Sequence, residues 1–511
     1  MCSGRNGTRE ELKSLLAAAE GNEAAEATTT SSPSMTHFLL RAPSDLRRSF
    51  HDMHAYLTDH TGRIGYLGSM AIACNSLTGP AMLHLPATFH RAGLIPTMFT
   101  LTFVCVLAAL CSLHMANTIS KIPGNSDFKK EVEYAETFRK FWGHRSFVFA
   151  QAMFFICITC LNISSIVDTA QTVDTALGNF KGTFGVQISW AADDPILSVV
   201  EWKAGECSED MRVSGTCLPF FDDGKPSSII LTLGYVICVA IFLPMALMDL
   251  KENAAAQIVG FVVLLLASLQ FCIVSVYHGL DFSRLSLWGE TWSNLFGVVL
   301  FNFALVIAIP AWLYEKEESV DVPAVIHGSS ALTLLLYILV GVLGTLSMEN
   351  VSDNMLESME SGVYGVGLQI GASIFAFFIV GLGIPLFSVL TRYSLVGSNL
   401  MTSLKANVLA VYFPFGVGWL LYMGEGVTEL LSWGGVIFTS IVAFILPLLV
   451  SLHTVEEFEF HGAIDVYSSY FPSLQDNKKH QARSLTVLIA LAIFAIIAAI
   501  IGNIMGEIQR R

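Results

Sequence analysis

The chain has 511 residues, 53% of them apolar and 14% charged, with a mean hydropathy of +0.60. Soluble domains carry about 25% charged residues, so this composition excludes an ordinary water-soluble enzyme and points to many lipid-facing side chains. The formal net charge of −14 argues against a nucleic-acid partner, because phosphate binding needs a basic surface.

Residues 1–60 read as a cytosolic tail, Ala/Glu/Thr/Ser-rich through 18–34 and too poor in apolar residues there to fold. Within it, Glu11-Leu12-Lys13-Ser14-Leu15-Leu16 places an acid four residues before a Leu pair. That pattern is similar to sorting signals read by adaptor proteins, and it equally fits an amphipathic helical turn. No basic segment leads into an apolar core, so the first span is expected to act as the insertion signal.

A transporter domain is expected over 61–505, followed by a short tail at 506–511. It divides into about eleven apolar windows able to cross ~30 Å of hydrocarbon, making an all-α polytopic membrane protein. They fall at 65–88, 93–117, 146–168, 227–249, 254–276, 291–313, 325–347, 365–390, 406–423, 427–451 and 485–505. Lys and Arg gather before the first span (Arg41, Arg47, Arg48, Arg63) and between the second and third (Lys121, Lys129, Lys130, Arg139, Lys140, Arg145). They recur in every second loop thereafter, which puts the N-terminus in the cytoplasm. The segment 169–226 is then an outer loop, where an oxidising compartment would let Cys207 and Cys217 pair. Asn350-Val351-Ser352 is a glycosylation acceptor in another outer loop.

Two spans carry residues poorly suited to a continuous helix. The first reads Asn75-Ser76-Leu77-Thr78-Gly79-Pro80-Ala81-Met82, where Pro80 lacks an N–H and Gly79 adds freedom. Freed carbonyls have no partner in lipid, so an unwound stretch there must line a protein-enclosed cavity. The sixth carries Phe301-Asn302-Phe303 and closes with Pro310 before Trp312, five spans after the first, as inverted five-helix repeats require. Discontinuous helices of this kind hold substrates in secondary carriers. The eighth span is loosened by Gly381-Leu382-Gly383-Ile384-Pro385, which fits either a functional break or close packing through small residues.

These residues resemble a known family. Asn75-x-x-x-Gly79, followed by Leu83-x-Leu85-Pro86-x-x-Phe89-x-x-Ala92-Gly93, is similar to the first-helix signature of the amino acid/auxin permease family. Pro310-Ala311-Trp312-x-x-Glu315-Lys316 with Val322-Pro323, Pro385 with Arg392, and Phe444-Ile445-Leu446-Pro447 resemble its later helices. The resemblance implies a LeuT-like fold with broken first and sixth helices and ion-coupled transport of amino acids by alternating access. Family members often carry Gly-Ser-Gly where this chain has Gly79-Pro80-Ala81, leaving the backbone N–H groups of Ala81 and Met82 as donors for a carboxylate.

The expected substrate site is Asn75, Ser76, Thr78, Gly79, Ala81 and Met82 with Phe301, Asn302 and Phe303. No buried charge pair awaits a charged side chain, so a neutral amino acid is favoured. The coupling ion is Na+ or H+, with Asn75, His84 and Ser388 as its candidate residues; Ser388 stands in for an eighth-helix Thr that sodium-coupled members carry. Asp168, Glu425 and Glu429 fall at expected span ends and read as interfacial. No H-E-x-x-H lies on a span and no G-x-S-x-G occurs, so no catalytic residue, metal centre or other cofactor is expected. The alternatives are a non-transporting amino acid sensor on the same fold or a carrier of another small organic solute. The expected location is the plasma membrane or an endosomal or vacuolar membrane.

Overall fold

The structure is a computed structural model that describes residues 63–78, 80–190, 195–203, 219–220, 228–292, 295–348, 355, 365–423, 430–457, 463–464, 466 and 478–510. The tail with Leu15 and Leu16, Gly79, Cys207, Cys217 and Asn350 lie outside the described residues.

Backbone groups in lipid must be satisfied within their own segment, and the apolar windows accordingly form helices. Among the described residues, eight are long and apolar enough to cross a membrane. They are α3 (Leu94–Ser120), α5 (His144–Phe180), α7 (Leu250–His278), the interrupted sixth span (Leu295–Glu315), α10 (Val322–Ser347), α11 (Val366–Gly397), α13 (Val436–Glu457) and the greater part of α14 (Lys478–Arg510). The other three windows hold shorter or divided helices: α1 (Tyr66–Leu77) with α2 (Leu85–Ala92), α6 (Leu233–Ala246), and α12 over 403–420. The sixth span divides into α8 (Leu295–Asn302) and α9 (Ile309–Glu315). Its apolar window is 78% buried by protein, against 28% for α14, so the broken span is central and α14 peripheral. Phe494, Ile497 and Ile501 on α14 face outward, as lipid permits.

Three features depart from the sequence expectation. The helix that holds the third span does not stop near 168, because α5 runs on to Phe180. Beyond it stands a small antiparallel sheet, β1 (Thr183–Ser189), β2 (Leu197–Trp202) and β3 (Ser228–Thr232), in the order β2-β1-β3. Asp174 anchors this sheet to the helices. Its buried carboxylate accepts from Thr183 Oγ1 (2.6 Å), Gly234 N (2.9 Å), Tyr422 OH (2.6 Å) and Thr232 Oγ1 (2.5 Å). The third feature is an amphipathic helix in the basic loop, α4 (Tyr134–Trp142). Tyr134 stacks on Phe154 at 4.8 Å and donates to Val442 O at 2.7 Å, pinning that loop to α5 and to α13.

At the basic end the spans are latched together. Ile64 N donates to Glu315 O and Glu317 N to Ile64 O, both at 2.9 Å, so the chain before α1 pairs with the chain after α9. Tyr393 OH donates to Glu315 Oε1 (3.2 Å) and accepts from Leu250 N (3.1 Å), joining α11, α9 and α7. Arg392 donates to Leu247 O (2.6 Å), Met248 O and Asp249 Oδ1 (3.0 Å).

Glu133, 4% exposed, lies beneath this latch against Gly397. Burial, and then the neighbouring carboxylates Glu131 and Glu315, push its carboxyl up to about 8. An unfolded Glu ionises near about 4.3, so the folded form is progressively penalised as pH rises from there to about 8 and equally penalised above. Glu133→Gln should therefore raise the thermal unfolding temperature at pH 8 and leave it near the wild-type value at pH 4. Equal effects at both pH values would contradict the assignment.

Candidate functional site

The first break follows from its sequence. Pro80 has no N–H to give the Ser76 carbonyl and disfavours helical backbone in the residue before it, so α1 stops at Leu77. The last turn is repaired by side chains. Cys74 O accepts from Thr78 N (2.8 Å) and Thr78 Oγ1 (2.7 Å), and Ser76 Oγ donates to Ile72 O (2.6 Å). Leu77 O accepts the Tyr337 hydroxyl from α10. The chain resumes as a 3-10 turn, Pro80–His84, and enters α2 with Pro86 in its first turn, where a missing N–H costs nothing.

The second break lies between α8 and α9. Asn302 ends α8 with Nδ2 donating back to Val298 O (3.1 Å), Phe303 and Ala304 leave the helix, and a 3-10 turn covers Leu305–Ile307. The sequence suggested that Pro310 closes the span. Instead it sits in the first turn of α9 and opens the second half-helix. Phe303 meets the Tyr337 ring edge-on at 5.5 Å. One side chain of α10 therefore touches both breaks.

Between the broken spans lies a cavity of about 40 Å³, lined by Ser76, Phe301, Asn302 and Ala304 with Ser165 of α5 and Phe387 of α11. Of the residues expected from sequence, Ser76, Phe301 and Asn302 meet there. Thr78, Met82 and Phe303 are buried near it without lining it, and His84 ends the 3-10 turn. Ala81 contributes backbone to that turn. Asn75 points elsewhere: Nδ2 donates to Gln257 O and Gln257 Oε1, both at 2.8 Å, while Gln257 Nε2 donates to Leu382 O at 3.1 Å. This chain of bonds ties α1 through α7 to the glycine-rich part of α11. Ser388 accepts from Asn162 Nδ2 at 2.9 Å and so belongs to an α5–α11 contact.

Sequence reasoning missed the contribution of α5, although the polar run Asn162, Ser164 and Ser165 inside an apolar span was a usable signal. On α11 the backbone stays helical through Gly381–Gly397 with Pro385 inside it, so the glycines serve close packing and no break occurs there. A Cβ on Gly381 would lie 2.4 Å from the Phe242 ring, which is close packing, and Leu386, Phe387 and Leu390 just beyond Pro385 line the cavity. Three buried amide oxygens near this centre, Asn75 Oδ1, Asn162 Oδ1 and Asn302 Oδ1, accept no hydrogen bond.

Tyr337→Phe should leave the Leu77 carbonyl buried without its donor, at a cost of about 1–3 kcal/mol. Expected are a lowered thermal unfolding temperature in detergent and weakened solute uptake at normal membrane insertion. Unchanged values for both would show that the hydroxyl does not hold the break.

Comparison with known proteins follows this geometry. Residues 62–199 match the family described as Transmembrane amino acid transporter protein. No curated protein sequence matches the chain. Among solved structures it is similar to MhsT, determined in complex with L-phenylalanine, with a TM-score of 0.57 at 11% identity over 86% of this chain and 98% of that one. The fold is thus the LeuT-like one. Over residues 62–199 the chain is similar to the transmembrane amino acid transporter family, and over most of its length it shares the fold of MhsT.

Proposed function

We propose that the chain is a secondary active carrier that moves neutral amino acids by alternating access, driven by a cation gradient and without chemical change to the substrate. The observation that carries this reading is the cavity where both broken spans end, lined by Ser76, Phe301 and Asn302. Its walls are apolar rings, small residues, hydroxyls and one amide, with no charged side chain, which suits a ligand whose side chain is uncharged. The buried Oδ1 of Asn302 is an acceptor awaiting a donor such as an ammonium group. The N–H groups of Ala81 and Met82, at the start of the 3-10 turn, are donors suited to a carboxylate. MhsT, of the same fold, holds an amino acid, which supports the ligand class.

In this reading the latch around Ile64, Glu315 and Tyr393 closes the cytoplasmic side, and its opening releases substrate. The coupling ion is Na+ or H+. Asn75 Oδ1, buried and without a hydrogen-bond partner, is a candidate cation ligand, and His84 and Ser388 remain candidates by position.

The test is uptake of radiolabelled neutral amino acids into proteoliposomes, with sodium and pH gradients imposed separately. Concentrative uptake driven by one gradient is expected; binding without flux would favour a sensor. Asn75→Ala, which severs the bond between α1 and Gln257, should abolish gradient-driven uptake while the protein still inserts. Near-normal transport with unchanged ion dependence in that variant would remove Asn75 from the coupling apparatus.

A further inference from the structure

Asp168 falls at the expected end of the third span, yet α5 extends twelve residues past it. It stands three residues from Ser165 and seven from Leu161, both of which line the central cavity, so the three share one face of α5. The rise from Ser165 is about 4.5 Å, a single turn. The same face continues to Thr172, and both Asp168 and Thr172 are partly exposed, whereas Ser164 and Ser165 are buried. A polar stripe therefore leads from the cavity toward the end opposite the latch, and a carboxylate stands one turn along it.

Among the described residues nothing neutralises that carboxylate. Its one side-chain hydrogen bond among them is from Ser164 Oγ to Oδ2, at 3.0 Å, and no Lys, Arg or His of theirs forms an ion pair with it. The titratable groups that neighbouring elements turn toward this part of α5 are engaged elsewhere. Cys238 of α6 donates to Ile166 O, Tyr235 of α6 to Phe415 O, and Tyr422, just past α12, to Asp174 Oδ2. Asp174 is filled by its four donors. The stretch of α11 packed here carries no ionisable side chain before Arg392 at the latched end, and Glu425 and Glu429 lie outside the described residues. An ionisable side chain inside a span costs several kcal/mol unless it meets a counter-charge or water, and such residues mark ion and proton paths.

We propose that Asp168 is the binding site of a coupling proton on the outer approach to the central cavity. The inference rests on the carrier reading above and names its coupling ion. The carboxylate takes a proton from water on Oδ1 while Oδ2 keeps the Ser164 hydroxyl, and the neutral acid then moves within the closed carrier at no charge cost. When the latched end opens, water readmits the ionised form and the proton leaves. One carboxylate with one hydroxyl is too few oxygens to dehydrate a metal cation and enough for a proton. The described residues contain no cluster of acidic, His or Cys side chains that could hold a metal ion.

The test uses the full chain in proteoliposomes with the neutral amino acid it takes up fastest. A one-unit pH gradient coupled through one proton sustains about tenfold accumulation. Asp168→Asn should lose that accumulation and the pH dependence of uptake, while exchange of labelled for unlabelled substrate without a gradient persists. Asp168→Glu should restore a pH-driven component. Accumulation by Asp168→Asn equal to wild type overturns the proposal. So does wild-type uptake that follows sodium and ignores pH, and so does a variant that loses only substrate affinity, which would make Asp168 an ammonium subsite. If Asp168→Asn fails to insert, Ser164→Ala decides: loss of the donor to Oδ2 should shift the pH midpoint of uptake, and an unmoved midpoint overturns the assignment. Wild type that neither accumulates nor exchanges any neutral amino acid would instead defeat the carrier reading itself.

Discussion

A peptide group in hydrocarbon must find its hydrogen-bond partner inside the protein, and the centre of this molecule is organised around two places where a helix cannot supply one. At Leu77 and at Asn302–Ala304 the α-helical ladder stops. The structure tolerates this because neighbours stand in: the Thr78 hydroxyl at Cys74 O, the Tyr337 hydroxyl at Leu77 O, the Asn302 amide at Val298 O. Each repair comes from a side chain that cannot be displaced into lipid. The breaks are therefore confined to the most buried span and its partner, and the space between them is walled by apolar side chains with the hydroxyls of Ser76 and Ser165 and the amide of Asn302.

Amide oxygens left without donors at Asn75, Asn162 and Asn302 are costly in an interior of low dielectric unless something binds there. Of the three, Asn302 lines the cavity, which is otherwise walled by rings and small residues, while Asn75 and Asn162 face Gln257 of α7 and Ser388 of α11. A zwitterion of small size meets such a wall well: its charged ends satisfy the backbone and amide groups while its side chain meets the apolar ones.

The two ends of the spans are built differently. At the basic end, Ile64 pairs with the backbone around Lys316, and Tyr393 and Arg392 bind carbonyls and carboxylates of other spans, so several elements must part together. At the opposite end the polar face of α5 continues past Asp168 and Thr172, and the sheet is held down through Asp174. A firm latch on one side and a polar approach on the other make the two ends asymmetric, and any opening of the latched end would have to break several short-range bonds at once.

Much of this was legible in the sequence. Apolar windows longer than the bilayer and the basic loops are local properties, because lipid imposes the same demand on every segment. Gly79-Pro80 and Asn302 announced their breaks because a missing N–H or a competing amide acts within one turn. What neighbouring helices contribute is not local. That Asn75 would turn to Gln257, that Ser388 would be taken by Asn162, and that Ser165 and Phe387 would join the cavity depends on which faces of α5, α7 and α11 come together. The role of Pro310 shows the same division. The residue marks a discontinuity from sequence alone, but whether it ends one helix or begins the next depends on where the backbone of Phe303 and Ala304 finds room, against Tyr337. The sequence by itself determined a polytopic helical carrier with two interrupted spans, since bilayer thickness and backbone chemistry act on each segment alone. Only the tertiary structure decided which side chains share the cavity and that Asp168 lies inside α5 rather than at its end, because packing between spans far apart in the chain sets both.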